Sequence, residues 1–290
     1  MRTIPRALVI GDPIAHSLSP LLHQTWLKQT KINGRYEKKN IAYKDLSKKL
    51  KALFQDDGFV GANITLPHKR AALQIADEVT TRAEKTGSAN LLYKKNNKII
   101  ADNTDIAGFI TPLLKRRSGQ QLKQASVLVF GAGGVARAVL IALQNADVQQ
   151  ITLCNRSNER AEKLVESLDQ KTGITNLQTL DWKNRNKPKG TVDLVVNASS
   201  AGMTGVESLD VNLDFCQKEA LVYDLVYKPL LTPFILQASS KNLKVIDGLE
   251  MLISQARPCF KVFFGIEPPK DTFVRNKLES YLIKENDGSE

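Results

Sequence analysis

The segment SVLVFGAGGVARAVLIAL constrains the fold of this chain more than any other stretch of its 290 residues. Residues 127–130 form an apolar run typical of a buried strand, and a helical pattern begins near Arg137. Gly131, Gly133 and Ala136 satisfy the spacing GxGxx(G/A). Glycines in such a unit permit a tight turn and let backbone amides approach a pyrophosphate at the helix N-terminus. The segment predicts a dinucleotide-binding unit; a glycine-rich turn without a ligand is the alternative.

The strand that follows the glycine turn ends in the sequence CNRSNER. A site that prefers NAD usually carries a carboxylate here for the ribose 2′-hydroxyl, whereas this chain offers Asn155, Arg156, Ser157 and Arg160. Guanidinium groups suit a phosphate because they are planar, charge-assisted donors. The sequence therefore predicts NADP as the cofactor, although both arginines could instead belong to a solvated helix start. The predicted cofactor contacts within the glycine turn are Gly131, Ala132, Gly133, Gly134 and Val135.

Short apolar runs alternate with amphipathic stretches along the chain, which predicts an α/β fold with two domains. Residues 1–105 and 249–290 form the predicted substrate-binding domain, an N-terminal α/β unit that the last helices rejoin. Residues 106–248 form the predicted Rossmann-like NADP-binding domain. A helix capped by Ser19 is predicted after the first strand, and another helix is predicted over HKRAALQIADEV.

The composition excludes several classes of protein. The net charge is +11, but the basic residues are scattered, aromatic residues make up only 6%, and no nucleic-acid-binding signature occurs, so no nucleic-acid partner is expected. No signal peptide is recognisable and no apolar run approaches transmembrane length, so no membrane partner is expected. Three distant cysteines without CxxC spacing and three histidines argue against disulfides or a metal site. The expected compartment is the reducing cytoplasm.

The stretch NITLPHK, residues 63–69, ends a predicted strand at its proline, which cannot donate to a sheet ladder. Lys69 follows at the carboxyl end of that strand, where open α/β sheets build their sites. Hydride transfer to a ketone needs a proton donor near the developing alkoxide, and a lysine oriented by a carboxylate supplies one. The best carboxylate is Asp105, at the predicted junction of the domains. Asp102 and His68 are rivals, and a solvated lysine in a loop is the alternative.

An ordered series of segments resembles the shikimate dehydrogenase family over nearly the whole chain. These segments are GDPIAHSLSPLLH, GANITLPHK, GSAN, DNTDIAGF, GAGGVARA, CNRSNER, NASSAGM, DLVYKPLLTPF and GLEMLISQA. The resemblance implies an NADP-linked oxidoreductase that reduces 3-dehydroshikimate to shikimate, a step toward aromatic amino acids. The lysine and aspartate dyad of the family maps onto Lys69 and Asp105.

The resemblance also implies roles for polar residues near the dyad. Ser17 and Ser19 match the substrate carboxylate ligands, and hydroxyl donors suit a carboxylate without adding a competing charge. Thr65, Asn90 and Gln255 match positions that bind ring hydroxyls or the carboxylate. The remaining matches are Tyr227 on the substrate side, and Leu225 and Gly248 near the nicotinamide.

The closest alternative is a quinate or dual quinate/shikimate dehydrogenase of the same family, because the serines of HSLSP do not exclude quinate. A nonenzymatic protein that binds NADP or nucleic acid is the alternative from another class, and the presence of Lys69 and Asp105 speaks against it. Members of this family are monomers or homodimers, so the sequence leaves the oligomeric state open. Departures from the family pattern, such as Gln24 after His23, adjoin the mapped ligands and replace none of them.

Overall fold

The computed structural model of the protein describes residues 3–173 and 176–286. The remaining positions of the predicted domains, residues 1–2, 174–175 and 287–290, lie outside this description. Helices and strands alternate along the described residues, which confirms the predicted α/β class.

The described residues divide into two compact units, each with its own six-stranded sheet. The first unit comprises the residues up to Ile106 together with Leu252–Leu278. The second comprises Ala107–Met251 and, of the described residues, 279–286. The predicted domains divide the chain close to these points, except that the residues from Glu279 group with the second unit. Which unit binds which ligand stays a prediction.

The sheet of the first unit is mixed. Its strands are β1 (Arg6–Gly11), β2 (Arg35–Asn40), β3 (Phe59–Ile64), β4 (Glu78–Val79), β5 (Leu91–Lys95) and β6 (Lys98–Asp102). They lie in the order β2-β1-β3-β5-β6-β4, in which β1 is parallel to both of its neighbours and β5 is antiparallel to both of its own. Strands β5 and β6 form a hairpin, with Asn96 and Asn97 at φ angles of 50° and 61° in its turn.

This pairing gathers separate parts of the chain at one edge of the sheet. Leu91, at the start of β5, lies opposite Asn63 near the end of β3 and opposite Asp102 at the end of β6. The residues after β3, before β5 and after β6 therefore meet. The N–H of Ala89 donates to the carbonyl of Lys69 at 2.8 Å, which fixes the backbone of Lys69 at this edge.

Two helix predictions for the first unit were wrong in detail. Helix α1 (Ser19–Thr30) already includes Ser19, and its N-cap residue is Leu18, whose side chain has no acceptor and cannot cap the helix. Helix α2 is Leu46–Phe54, and α3 is only Ala71–Ile75. The predicted helix ends early because Glu78 and Val79 pair with β6 as strand β4. Helix α4 (Thr81–Thr86) follows.

The sheet of the second unit is entirely parallel. Its strands are β7 (Ser126–Phe130), β8 (Gln150–Cys154), β9 (Leu177–Leu180), β10 (Val192–Asn197), β11 (Cys216–Asp224) and β12 (Lys244–Ile246). The order β12-β11-β10-β7-β8-β9 is that of a doubly wound dinucleotide-binding sheet, with its switch point between β7 and β10.

The helices that follow α4 are α5 (Asp105–Leu114), α6 (Gly119–Lys123), α7 (Gly134–Asn145), α8 (Asn158–Thr172), α9 (Pro233–Ser240), α10 (Gly248–Phe264) and α11 (Asp271–Asn286).

Candidate active site

Lys69 and Asp105 form a close ion pair in the first unit. The Nζ of Lys69 lies 2.5 Å from Oδ2 of Asp105, and the two side chains are 16% and 6% exposed. Asp105 is the first residue of α5, and its N–H donates to Oδ1 of Asn103 at 2.9 Å. A lysine ammonium carries three protons, so Lys69 keeps two for a ligand while it donates one to the carboxylate. The structure thus brings together the two predicted catalytic residues.

Asn90 fixes the other oxygen of the same carboxylate. Its Nδ2 donates to Oδ1 of Asp105 at 2.8 Å, and Oγ1 of Thr104 and Oε1 of Gln255 lie at 2.9 and 3.2 Å from the same nitrogen. Its Oδ1 accepts the N–H of Thr104 at 2.8 Å. An amide nitrogen has two protons, so these three acceptors share them. Lys69, Asp105, Asn90 and Gln255 therefore belong to one network.

Thr104 is a member of this network that the sequence analysis missed. Its hydroxyl lies 3.2 Å from Oδ1 of Asn90 and 3.4 Å from Oε1 of Gln255. The available signal was the polar run DNTD directly after a buried strand, which is typical of a helix start whose side chains form local hydrogen bonds.

Asp102, the rival carboxylate, is engaged elsewhere. Arg82 donates to it from Nε at 3.1 Å and from Nη2 at 2.6 Å, and the hydroxyl of Thr80 donates at 2.6 Å. Burial raises the pKa of Asp102, but the hydrogen bonds from Arg82, Thr80 and the N–H of Asn103 outweigh it and hold the pKa below the usual value. Asp102 is thus an ionised structural anchor for the start of α4.

His68, the rival acid or base, is fully buried. Its Nε2 lies 2.7 Å from the carbonyl oxygen of Ile41, so one ring nitrogen is bound to backbone beyond β2.

Thr65 is a predicted substrate ligand directly after β3. The N–H of Thr65 donates to the carbonyl of Ile10 at 2.9 Å, and the methyl group of Thr65 occupies the space that a side chain on Gly11 would need. Thr65 therefore lies against the end of β1, from which the segment with the two predicted serines begins.

Ser17 and Ser19 lie on that segment. The N–H of Ser19 donates to Oγ of Ser17 at 3.3 Å, and Ser19 is buried whereas Ser17 is partly exposed. Since Ser19 does not cap α1, its hydroxyl is not held by the helix. Both hydroxyls can therefore act as donors to a carboxylate.

Two further buried residues connect Ser19 to the network. The phenol of Tyr36 donates to Oδ1 of Asn63 at 2.7 Å, and Nδ2 of Asn63 donates to the carbonyl of Asn90 at 3.1 Å. Burial raises the pKa of Tyr36 well above its usual value, the thiol of Cys259 adds to this rise, and a side-chain hydrogen bond with Ser19 opposes it. The phenol is therefore protonated at neutral pH. The sequence analysis missed both residues because nothing local marks their long-range partners.

The glycine turn of the second unit lies at the switch point of its sheet. Gly131 has a φ of +107°, and an added Cβ would lie 2.8 Å from backbone atoms of Ala198 and Ser199. An added Cβ on Gly133 would meet no protein atom within 4 Å. A groove of about 380 Å³ opens beside the turn, and no side chain caps the N-terminus of α7. Gly131 is required by the fold, and Gly133 leaves open space where a pyrophosphate would lie.

Alanine substitutions at these two glycines are expected to have opposite effects. Gly131→Ala should lower the free energy of unfolding by more than about 2 kcal/mol, because the backbone is left-handed and the space is filled. Gly133→Ala should leave that free energy within about 1 kcal/mol and weaken NADP+ binding at least tenfold, because only a ligand would meet the new methyl group. Urea unfolding and calorimetric titration check both. A Gly133→Ala protein with normal NADP+ affinity would contradict the assignment.

The segment that follows β8 contains two residues with structural hydrogen bonds, Asn155 and Ser157, and two exposed arginines. Asn155 accepts the N–H of Ala132 at 3.1 Å and donates to the carbonyl of Ser157 at 2.8 Å, and Ser157 caps α8. Arg156 and Arg160 are exposed and line the groove. Within residues 3–173 and 176–286, neither guanidinium group has an ion-pair or hydrogen-bond partner. These residues fit a 2′-phosphate, which needs cationic, charge-assisted donors.

The three remaining predicted residues lie in the second unit. An added Cβ on Gly248 would lie 2.5 Å from the carbonyl oxygen of Leu225 and 2.6 Å from that of Val226, so only glycine lets α10 begin there. The N–H of Leu225 donates to the carbonyl of Asn197 at 3.0 Å. Tyr227 follows two residues later and is partly buried. The ligand contacts of these residues stay predictions.

Asp224, at the end of β11, is a fully buried carboxylate. Burial raises its pKa from 3.8 to about 6 against the hydrogen bonds from Thr232, Val226 and Asn197, and Asp247 adds to the rise. The folded protein therefore binds a proton at Asp224 over a pH range in which the unfolded chain does not.

This carboxylate should make stability fall as the pH rises from about 4 to about 6. In that window the unfolded chain has already lost the proton that the folded protein still holds at Asp224, so each pKa unit costs about 1.4 kcal/mol. Wild type should lose about 2 kcal/mol of unfolding free energy relative to Asp224→Asn between pH 4.5 and pH 7.5. Urea unfolding of both proteins at the two pH values checks this. A difference that does not change with pH would contradict it.

No helix in the described part of the chain is both long and apolar enough to cross a membrane. Over the same residues, no group of three or more His, Cys, Asp or Glu side chains is placed to hold a metal ion.

Two family models match the chain. One, described as the shikimate dehydrogenase substrate binding domain, matches residues 9–92, and the other, described as shikimate / quinate 5-dehydrogenase, matches residues 113–250. Shikimate dehydrogenase (NADP(+)) of Cereibacter sphaeroides is 42% identical over 273 residues, which cover 94% of this chain and 96% of that protein.

Two solved structures are similar over 97% of this chain and 99% of theirs. Shikimate 5-dehydrogenase from Thermus thermophilus, in complex with NADP(H) and shikimate, has a TM-score of 0.80 and 31% identity. Ligand-free 5-ketofructose reductase of a Gluconobacter species has a TM-score of 0.87 and 26% identity. Together with the relative of Cereibacter sphaeroides, these matches confirm the resemblance seen in the sequence motifs. The chain belongs to the shikimate dehydrogenase family.

Proposed function

We propose that this protein is an NADP-dependent oxidoreductase that reversibly reduces 3-dehydroshikimate to shikimate, in the pathway to chorismate and the aromatic amino acids. The observation that carries the proposal is the 2.5 Å contact between Nζ of Lys69 and Oδ2 of Asp105, because it provides an oriented proton donor for a carbonyl oxygen. The family of the chain and the names of its relatives support the substrate and the cofactor.

Lys69 acts on the oxygen of the reacting carbonyl. NADPH, when bound, supplies a hydride to the ketone carbon. The ammonium of Lys69 stabilises the negative charge that develops on the oxygen and delivers the proton that completes the alcohol. In the oxidative direction the pair takes up that proton. The ammonium of Lys69 thus provides both the positive charge and the proton that the oxygen of the substrate carbonyl needs.

Asp105 and Asn90 keep the ammonium in place. Oδ2 of Asp105 accepts from Lys69, and Oδ1 accepts from Asn90, so the carboxylate cannot rotate without losing a hydrogen bond. The carboxylate also offers remaining lone pairs to a hydroxyl of the substrate.

The other predicted residues bind the substrate and the cofactor. Ser17 and Ser19 are proposed to donate to the substrate carboxylate, and Thr65 and Gln255 to contact ring hydroxyls or the carboxylate. Tyr227 is proposed to contact the substrate as well. The proposed cofactor contacts are the glycine turn, the segment 155–160, Leu225 and Gly248.

A matched initial-rate assay tests the function. The purified protein receives shikimate or quinate, each with NADP+ or NAD+, and the absorbance of the reduced nicotinamide is followed. A rate confined mainly to shikimate with NADP+ is expected. Comparable turnover of quinate would move the protein to the dual-specificity alternative that the name of the second matched family model includes. A folded protein that is inactive in all four combinations would refute the proposed reaction.

The compartment and the assembly are also proposals. Cys154, Cys216 and Cys259 are free thiols, which fits a reducing cytoplasm. We expect a monomer or a homodimer, and sedimentation velocity at two protein concentrations distinguishes them.

A further inference from the structure

The buried Asp224 has no part in the proposed reaction, yet three groups from two segments of the chain donate to it. Its Oδ2 accepts the hydroxyl of Thr232 at 2.6 Å, and its Oδ1 accepts Nδ2 of Asn197 at 2.9 Å and the N–H of Val226 at 3.0 Å. No lysine or arginine among the described residues forms an ion pair with it. A carboxylate accepts at both oxygens and donates at neither, so it can serve all three donors at once.

One donor leads directly to the cofactor groove. Nδ2 of Asn197 also donates to the carbonyl of Ala201 at 3.0 Å, and its Oδ1 accepts the N–H of Ser199 at 3.1 Å and the hydroxyl of Ser199 at 2.7 Å. The orientation of this amide is fixed because its nitrogen faces two acceptors. Ser199 and Ala201 line the groove, and the backbone of Ser199 lies against Gly131. Asp224 is therefore connected through Asn197 to one wall of the groove.

The other donors secure the segment that follows β11. The N–H of Val226 is held by Asp224, and the carbonyl of Val226 lies where a Cβ on Gly248 would be. The hydroxyl of Thr232 donates to Asp224 while it accepts the N–H of Ile235, as the cap of α9. Both ends of the segment 225–232 are therefore attached to the same carboxylate.

We propose that Asp224 is a positioning residue for cofactor binding, which joins the turn 197–201 to the segment 225–232 and so holds the NADP groove in its binding shape. This inference rests on the proposed function. It concerns a residue outside the predicted contacts, since the carboxylate acts through Asn197 and Val226 and is itself fully buried.

The test measures two ligands separately by calorimetric titration, NADP+ alone and shikimate alone. Asp224→Asn keeps the shape of the side chain but replaces one acceptor oxygen by a donor. Thr232→Val removes one donor, and Thr232→Ser restores its hydroxyl. Val148→Ala is the matched control, because Val148 is fully buried just before β8, at the opposite end of the strands. Thermal melting of each variant identifies those with similar losses of stability.

Asp224→Asn and Thr232→Val are expected to weaken NADP+ about tenfold, the effect of one charge-assisted hydrogen bond, and to leave shikimate within about twofold. Thr232→Ser should recover NADP+ affinity, and Val148→Ala should bind both ligands normally. Normal NADP+ binding by Asp224→Asn overturns this inference and leaves the proposed function standing. Equal weakening of both ligands in every variant, Val148→Ala included, assigns Asp224 a merely structural role and also overturns it. If Asp224→Asn does not fold, the two Thr232 variants decide. A wild type that binds no NADP+ refutes the proposed function as well.

Discussion

Replacement of Lys69 by alanine is expected to lower kcat about 10³-fold and to change the affinity for shikimate by less than about tenfold. The ammonium contributes most where negative charge develops on the substrate oxygen, which happens in the transition state and not in the bound alcohol. Asn90 still holds Asp105 through Oδ1 in this variant, so the rest of the network has a partner. The loss should therefore appear in turnover.

Turnover and affinity are measured separately, by steady-state kinetics with NADP+ and by calorimetric titration of shikimate. Lys98→Ala is the control, because Lys98 also pairs with a carboxylate, Glu78, at 2.6 Å, but on the surface with 58% of its side chain exposed. An exposed pair of this kind is screened by solvent and contributes little, so the control should keep full activity. A Lys69→Ala protein with preserved turnover and a large loss of affinity would show that Lys69 binds substrate without taking part in proton transfer.

Removal of both Arg156 and Arg160 is expected to lower kcat/KM for NADP+ about 100-fold and to leave kcat/KM for NAD+ within about threefold. A hydrogen bond to a charged group contributes about 1.5–3 kcal/mol, and the exposed positions place each arginine near the lower limit, about tenfold apiece. NAD+ lacks the 2′-phosphate, so it loses no contact.

Initial rates with each cofactor test this at low and high ionic strength, because the NADP+ contribution of exposed arginines should weaken with salt. Lys163→Ala is the matched control on α8, the helix of Arg160, since Lys163 is already paired with Glu159 at 2.6 Å. If the double variant loses activity equally with both cofactors, the arginines do not select NADP+. If the double variant keeps full activity with both cofactors, the 2′-phosphate binds elsewhere.

The features that the sequence predicted best are local ones. The strand, glycine turn and helix around Gly131 lie within a short stretch, so spacing and apolar pattern suffice to define them. The cap assigned to Ser19 was wrong because the backbone angles of Leu18 decide where α1 begins. The helix after Lys69 was overextended because pairing of Glu78 with β6 is a long-range interaction that helix propensity does not contain.

The candidate site was harder to predict because its partners are distant in sequence. Lys69 and Asp105 meet only after β3, β5 and β6 pair, and the residues alone left Asp102 as a competitor until Arg82 was seen to occupy it. The family resemblance predicted the pair of Lys69 and Asp105. The hydrogen bonds of Asn90 to Thr104 and Asp105 are apparent only in the structure. The sequence analysis assigned no role to Asp224, since nothing in the sequence identifies Asn197 and Thr232 as its donors.

The exposed positions of Arg156 and Arg160 bear on how such a protein can evolve. Neither side chain is buried in the second unit, so a lineage could exchange either one without passing through a poorly folded intermediate. Lys69 and Asp105 are the two halves of one ion pair, so replacement of either residue removes the charge partner of the other. Nucleotide preference is thus open to drift in single steps, while the reacting pair is accessible only to coordinated change. Adaptation to a cell with a different balance of nicotinamide cofactors would begin at the exposed segment 156–160.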